Sequence, residues 1–218
     1  MNGIYFMRNN NRHFFHWTQE GSLYIQLLFK HEIIRGFRAI DQHIPIEELI
    51  LLDAGCGTGQ LTRELSEHIH TKNIYGCDIN KEDIIGCQQK NPNICYFEHD
   101  LLYPFNDKPK FDVIFFTTAL AQFTPEEQKF VLTNAFNQLT KNGFIWVVDV
   151  NNTATKNLFK QITDQYNVIY QNKFSKDLFN HYSVLKLTNK LPLTLVHLLD
   201  RLCIGSNVLT QIIFSPYS

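Results

Sequence analysis

No charge of either sign dominates this 218-residue chain: 20 Lys and Arg stand against 21 Asp and Glu, for a formal net charge of −1. A basic face broad enough to hold a nucleic-acid backbone is therefore not expected. Cysteine is scarce and unpaired in pattern. The five cysteines, Cys56, Cys77, Cys87, Cys95 and Cys203, include no C-x-x-C spacing, which argues against a zinc ribbon or a thioredoxin-like motif. Four of them fall in segments patterned as core, where a reduced thiol behaves as a small hydrophobe, so a reducing cytoplasm is expected and a disulfide frame is not. No apolar run reaches membrane-spanning length, and no basic-then-apolar leader opens the chain. Internal repeats are absent as well. His13 and His16 lie three apart, but no carboxylate or cysteine cluster accompanies them, so no metal site is expected.

What the chain does have is one organising stretch, Glu48 to Gln60, reading E-L-I-L-L-D-A-G-C-G-T-G-Q. Its aliphatic run suits a strand covered on both faces, as in a parallel sheet. Asp53 closes the run, and Gly55, Gly57 and Gly59 follow at alternate positions. Leu61, Leu65 and Ile69 then recur every fourth residue, one face of a helix. Strand, glycine turn and helix make the first half of a nucleotide-binding unit, in which glycine lets backbone approach a ligand. The dinucleotide fingerprint fails at its sixth position, where Gln60 replaces Gly or Ala.

Further strands follow, each ending at a polar tip. Asn73 to Asn80 reads as a second strand ending on Asp78, about twenty residues past the glycines, where a carboxylate can accept from both ribose hydroxyls. Ile94 to Leu101 reads as a third, closing on His99, Asp100 and Leu101. Phe111 to Leu120 reads as a fourth, with Thr117 at its end, and Phe144 to Val150 as a fifth, carrying Asp149. Thr124-Pro125-Glu126-Glu127 predicts a helix opened by a capping box. Lys141-Asn142-Gly143 predicts its end through a glycine stop.

The pattern Asp53-x-Gly55-x-Gly57-x-Gly59, with Asp78 and Asp100 at the next strand tips, resembles motif I and its successors in class I S-adenosylmethionine (SAM)-dependent methyltransferases. The likeness runs over residues 48 to 150. Leu139 to Phe144 is similar to the leucine-lysine-proline-glycine-glycine turn before that family's fifth strand, with Thr140 inserted and Asn142 in place of proline. The resemblance implies an α/β three-layer sandwich with a mostly parallel seven-stranded sheet, its last strand antiparallel, and N-terminal helices over the cofactor cleft. It implies that SAM is the cofactor and S-adenosylhomocysteine the product. The cofactor-binding residues it implies are Asp53, Gly55, Cys56, Gly57, Gly59, Asp78, Ile79, Asp100, Leu101 and Thr117. In the family the glycine turn wraps the aminocarboxypropyl group, the first carboxylate lies near the methionine end, and the third-strand Asp receives the adenine amino group with the next apolar residue against the ring. The chemistry agrees: SAM carries an ammonium and a sulfonium but no pyrophosphate, so carboxylates beside the turn attract rather than repel it.

The expected organisation is a single domain over 1–218, with 1–45 an N-terminal helical lid, 48–150 the SAM-binding core and 151–218 completing the sheet and the acceptor pocket. Met1 to Arg12, polar and rich in asparagine, reads as a loosely docked end, and Leu23 to Phe37 as a helix. His13 to Trp17 are candidates for a pocket wall or an aromatic anchor. Lys81–Lys90 and Thr155–Tyr166 read as helices, Leu193–Cys203 as another, and Val208–Phe214 as the final strand. Two segments, Asn167–Tyr170 and His181–Leu187, compete for the sixth strand.

Methyl transfer needs alignment and exclusion of water, and needs a base only where the acceptor must lose a proton. Position alone nominates His99, Asp149 and His16 for that role. The loop Thr117-Thr118-Ala119-Leu120 lacks the Asn/Asp-Pro-Pro-aromatic signature of amino-directed nucleic-acid methyltransferases. Methylation of an oxygen, nitrogen or carbon atom of a small molecule is the leading expectation, by a monomer or homodimer. The alternatives are a SAM-binding regulatory or scaffold protein and another enzyme on the same fold, such as an aminopropyltransferase or a cyclase.

Overall fold

The computed structural model describes residues 5–9, 12–16, 33–69, 73–150, 153–175 and 208–216. Its centre is a seven-stranded sheet made of β3 (Ile50–Ala54), β4 (Asn73–Asp78), β5 (Cys95–Glu98), β6 (Phe111–Thr117), β7 (Leu139–Val150), β8 (Asn167–Ser175) and β9 (Val208–Ser215), in the order β5-β4-β3-β6-β7-β9-β8. The strands β3 to β7 pair in parallel, and β9 runs antiparallel between β7 and β8. The sixth strand is thus Asn167–Ser175; residues 181–187 and the expected helix Leu193–Cys203 lie outside the described residues.

Alternation along the strands divides the core into two layers, because successive side chains leave opposite faces of a sheet. Leu51, Val113, Phe115, Trp146, Val148 and Ile213 pack on one face with α1 (Ile34–Ile40), α2 (Gln60–His68) and α3 (Lys81–Lys90). Leu52, Ile114, Phe116, Val147 and Ile212 pack on the other with α4 (Pro125–Gln138) and α5 (Thr153–Gln165). Three layers result, and the near-continuous apolar strands are explained by helices on both sides.

Local chemistry sets the helix ends. At α4 the Thr124 side chain accepts from the Glu127 N–H at 3.3 Å while the Glu127 carboxylate accepts from the Thr124 N–H at 2.9 Å, closing the expected capping box. At α3 the Asn80 side chain accepts from the Glu82 and Asp83 N–H groups, and Glu82, Asp83 and Lys90 sit where the helix dipole favours them.

The end of α4 differs from the sequence expectation. The helix stops at Gln138, and Leu139 to Gly143 already belong to β7. Strand pairing jumps from Phe111↔Leu139 to Val113↔Phe144, a bulge that Asp112 anchors by accepting from the Thr140 hydroxyl at 2.8 Å and the Ile50 N–H at 3.0 Å. Gly143 is required for close approach, not as a helix stop: a Cβ there would sit 3.0 Å from the Phe111 carbonyl oxygen.

The N-terminal segment also differs. Residues expected to be a loose end pair as an antiparallel hairpin, β1 (Tyr5–Asn9) with β2 (Arg12–His16), in the register Tyr5↔His16 to Asn9↔Arg12. The backbone of β2 runs beside Leu120–Gln122. Of the expected helix at 23–37, the described part begins at Ile33, and α1 carries it on to Ile40 with Ile33, Phe37 and Ile40 buried.

Candidate functional site at the carboxyl ends of the strands

The order of strands reverses at β3, with β4 and β5 on one side and β6 on the other. Open parallel sheets bind ligands at that point, beyond the strands' carboxyl ends. A cleft of about 470 Å³, counted to its open mouth, lies there. Gly55, Asp78 and Ile79 line one side; His99, Asp100 and Leu101 form the next; Ala119, Gln122 and Phe123 complete the far wall.

The wall beside β3 is main chain. Gly55, Gly57 and Gly59 have φ of 80°, 50° and 72°, left-handed values that side chains rarely adopt. The N–H groups of Gly55 and Cys56 both donate to the Cys77 carbonyl, at 2.8 and 2.9 Å, which pins the turn to β4. A Cβ on Gly55 would reach to 3.0 Å from the Ala119 Cβ, across the cleft. The missing side chain is what keeps the cleft open between its two walls.

Asp78 joins the glycine turn to the second strand tip. Its Oδ2 accepts from the Gly57 N–H at 2.8 Å and its Oδ1 from the Asn80 N–H at 2.9 Å. The Asp78 carbonyl accepts from the His99 N–H at 2.9 Å, so the tips of β4 and β5 are tied together. Asp100 turns the chain after β5: its Oδ1 accepts from the Leu102 N–H and its carbonyl from the Tyr103 N–H.

Asp53 lies behind the turn rather than on the cleft wall. It is buried, and its Oδ2 accepts from the Thr62 hydroxyl at 2.6 Å. Burial pushes its carboxyl up to about 7; the Thr62 hydrogen bond counteracts this, and the nearby charge of Asp78 adds to it. Thr117 ends β6, and its buried hydroxyl has no hydrogen-bond partner among the described residues. The next residue, Thr118, has φ of 51°, although it is β-branched. Backbone in that region is strained for threonine, and such strain concentrates at functional sites.

The three residues nominated as bases lie in different surroundings. His99 lines the cleft, its ring stacked on Phe105 with centroids 4.2 Å apart. Its Nε2 is 3.2 Å from the Tyr103 carbonyl, which only accepts, so Nε2 carries the proton and Nδ1 holds the lone pair in the neutral ring. Burial holds its pKa below the usual histidine value. Asp149 is fully buried and accepts from the Ala121 N–H at 2.9 Å, holding the loop after β6. His16 is on β2, and its side chain lies outside the described residues.

Ala119 lies in the loop expected after the fourth strand, whereas Gln122 and Phe123 were not among the expected site residues. Gln122 donates through Nε2 to the Thr118 carbonyl at 3.2 Å, so the far wall is fixed by side chain as well as backbone. The legible start of α4 at Thr124 was the available signal: the residues just before a helix cap, after a strand's carboxyl end, face the crevice in this fold class. Among the described residues there is no group of three His, Cys, Asp or Glu that could hold a metal. No helix among them is long and apolar enough to cross a membrane.

Comparison with known proteins agrees with this geometry. Residues 51–143 match the sequence profile of a family described as "Methyltransferase domain". The ubiquinone biosynthesis O-methyltransferase of Pelagibacter ubique (strain HTCC1062) is 25% identical over 140 residues, which are 63% of this chain and 57% of that protein. Among solved structures, the N-methyltransferase NodS of Bradyrhizobium japonicum WM9, in complex with S-adenosyl-L-homocysteine, superposes with a TM-score of 0.57 at 14% identity, over 85% of this chain and 88% of the other. The [4+2]-cyclase SpnF superposes with a TM-score of 0.60 at 13% identity, over 93% and 84%. Residues 51–143 are thus similar to a methyltransferase domain, and the chain has the fold of the solved methyltransferase and cyclase it superposes on.

Proposed function

We propose that the protein binds SAM in the cleft and transfers its methyl group to an oxygen or nitrogen atom of a small-molecule acceptor, with carbon the third option. The observation that carries this reading is the joint between Gly57 and Asp78. It sets a carboxylate against a glycine turn that a side chain would close, which fits a ribose diol beside an aminocarboxypropyl chain. Charge supports it too. Among the described residues the lining includes Asp78 and Asp100 but no Lys or Arg, which favours a cation there over a pyrophosphate.

In this reading Asp78 holds the ribose, Asp100, Leu101 and Ile79 receive the adenine, and the main chain at 55–59 wraps the aminocarboxypropyl group. Asp53, behind the turn, favours the ligand's ammonium by its charge. Thr117 and Thr118 lie beneath the reacting centre and fix the floor of the acceptor side. The cofactor supplies an activated methyl on a sulfonium. The chain's task is to align, to exclude water and to hold charge, and positioning of this kind lowers the barrier without a specialised base.

Of the nominated bases, His99 lines the cleft: the Tyr103 carbonyl holds its Nε2–H, and the neutral ring keeps at Nδ1 the lone pair a base needs. Asp149 is buried and bonded to Ala121. The second reading is a cofactor-binding protein that transfers no methyl group. Incubating the protein with cell extract and methyl-labelled SAM, followed by mass spectrometry, separates the two. A labelled small molecule formed only with protein present supports transfer; tight SAM binding with no labelled product overturns transfer and leaves the binder.

A further inference from the structure

Beneath the glycine turn two cysteines meet. Cys56 lies in the turn itself, between Gly55 and Gly57, and is half-buried; Cys87 projects from α3 and is buried. Both sulfurs converge on one acceptor, the Gly57 carbonyl, which lies 3.8 Å from the Cys56 Sγ and 3.5 Å from the Cys87 Sγ. The neighbouring thiols act on each other: Cys87 pushes the Cys56 thiol up and Cys56 pulls the Cys87 thiol down. The surroundings are tight. The Cys87 Sγ would stand 2.7 Å from a Cβ on Gly59 and the Cys56 Sγ 3.2 Å from one on Gly76. Glycine at 59 and 76 is what lets both sulfurs occupy this space.

The other described cysteines are not part of this pair. Cys77 points into the opposite layer of the core, and Cys95 is exposed on β5. Nothing in the cofactor site's own chemistry requires a second thiol behind the turn.

We propose that Cys56 and Cys87 form a reversible thiol-oxidation site, in which a hydroperoxide converts the pair to a disulfide that ties the glycine turn to α3 and weakens cofactor binding. The weakening of binding rests on the SAM reading above; formation of the bond does not. Once the pair has lost one proton, the other can pass between the two neighbouring sulfurs, so either can carry the thiolate. Cys56, the half-buried member, meets the oxidant. Its thiolate attacks one oxygen of the hydroperoxide, the O–O bond breaks, and a sulfenic acid forms as the other oxygen leaves as water or alcohol. The Cys87 sulfur then displaces hydroxide, which leaves as water with the remaining thiol proton. Two thiols are oxidised and one peroxide is reduced. A disulfide needs its sulfurs about 2 Å apart and its Cβ atoms about 4 Å apart, so closure draws residue 56 towards α3. The N–H of Gly57, which holds Asp78, must follow.

The test uses the full chain with Cys95 and Cys203 replaced by serine, treated with hydrogen peroxide. The expected result is loss of two hydrogens in the intact mass and a linked peptide joining residues 56 and 87. Affinity for S-adenosylhomocysteine by titration calorimetry is expected to fall at least about tenfold and to recover with dithiothreitol. Cys87→Ser abolishes the linked peptide, and Cys56→Ser, tested separately, does the same. Uptake of oxygen at Cys56 with no linked pair would overturn the site. A linked pair with unchanged affinity would overturn its effect on binding. If the reduced protein binds no S-adenosylhomocysteine while the linked peptide still forms, the SAM reading fails and the oxidation site stands.

Discussion

The two walls of the cleft are made of different material. On the β3–β4 side the ligand would meet backbone: three glycines with positive φ, N–H groups committed to Cys77 and Asp78, and one carboxylate braced at both oxygens. On the β6–α4 side it would meet side chains: Ala119, Gln122 and Phe123, on a loop held by Asp149 and by Gln128, whose Nε2 donates to the Leu120 and Phe123 carbonyls. Main chain offers the same groups whatever the sequence, so the first wall suits a fixed cofactor. The second can be changed residue by residue without unmaking the sheet, which is where acceptor choice belongs.

If the walls divide their work this way, substitutions on them should separate affinity for cofactor from acceptor chemistry. The largest effect is expected at Gly55→Val. It puts a β-branched residue at φ of 80° with its Cβ 3.0 Å from Ala119, and strain and occlusion together should weaken SAM binding about a hundredfold or more in calorimetry. Next is Asp78→Asn, which keeps the shape but gives up charge and one acceptor. A charge-assisted hydrogen bond contributes about 1.5–3 kcal/mol, so affinity should fall roughly ten- to hundredfold while far-ultraviolet circular dichroism stays unchanged.

The third prediction concerns pH and the buried side of the first wall. Asp53 titrates at about 7 in the fold and near 3.8 when unfolded. The native state therefore binds the extra proton between those values, and stability falls as pH rises from about 4 to about 7, then levels off. The full span is roughly 4 kcal/mol. Asp53→Asn should flatten that slope in urea titrations at several pH values. A bound ammonium favours the ionised carboxyl, so SAM affinity of the unaltered protein should rise from pH 6 to 8. The smallest effect is at the second wall. Thr118→Gly relieves a residue held at φ of 51° and should raise stability by about 1 kcal/mol, read as a higher Tm, with little change in cofactor affinity.

How much of this was legible follows from what each signal depends on. The turn at 55–59, the strand tips at Asp78 and Asp100 and the capping box at Thr124 depend on neighbours in sequence, so the sequence carries them. The bulge in β7 does not: Asp112 pulls Thr140 into the sheet across 28 residues, and the local Lys-Asn-Gly pattern points to a helix stop instead. The burial of Asp53 behind the turn depends on Thr62 from the following helix, and the burial of Asp149 on the loop at Ala121. Alternation marks which face a strand residue takes but not what closes over it. The thiol pair was hidden for the same reason. Cys56 and Cys87 are 31 positions apart and meet only because α3 packs beneath the turn.

The central claim is that the cleft accepts a sulfonium nucleoside and not a dinucleotide. Titration calorimetry of the reduced protein with S-adenosylhomocysteine and, separately, with NAD tests it most directly. The account predicts saturable binding of the first at one site, weakened roughly ten- to hundredfold in Asp78→Asn, and no heat of binding with the second. Saturable binding of NAD, or S-adenosylhomocysteine binding that survives Asp78→Asn undiminished, would contradict it.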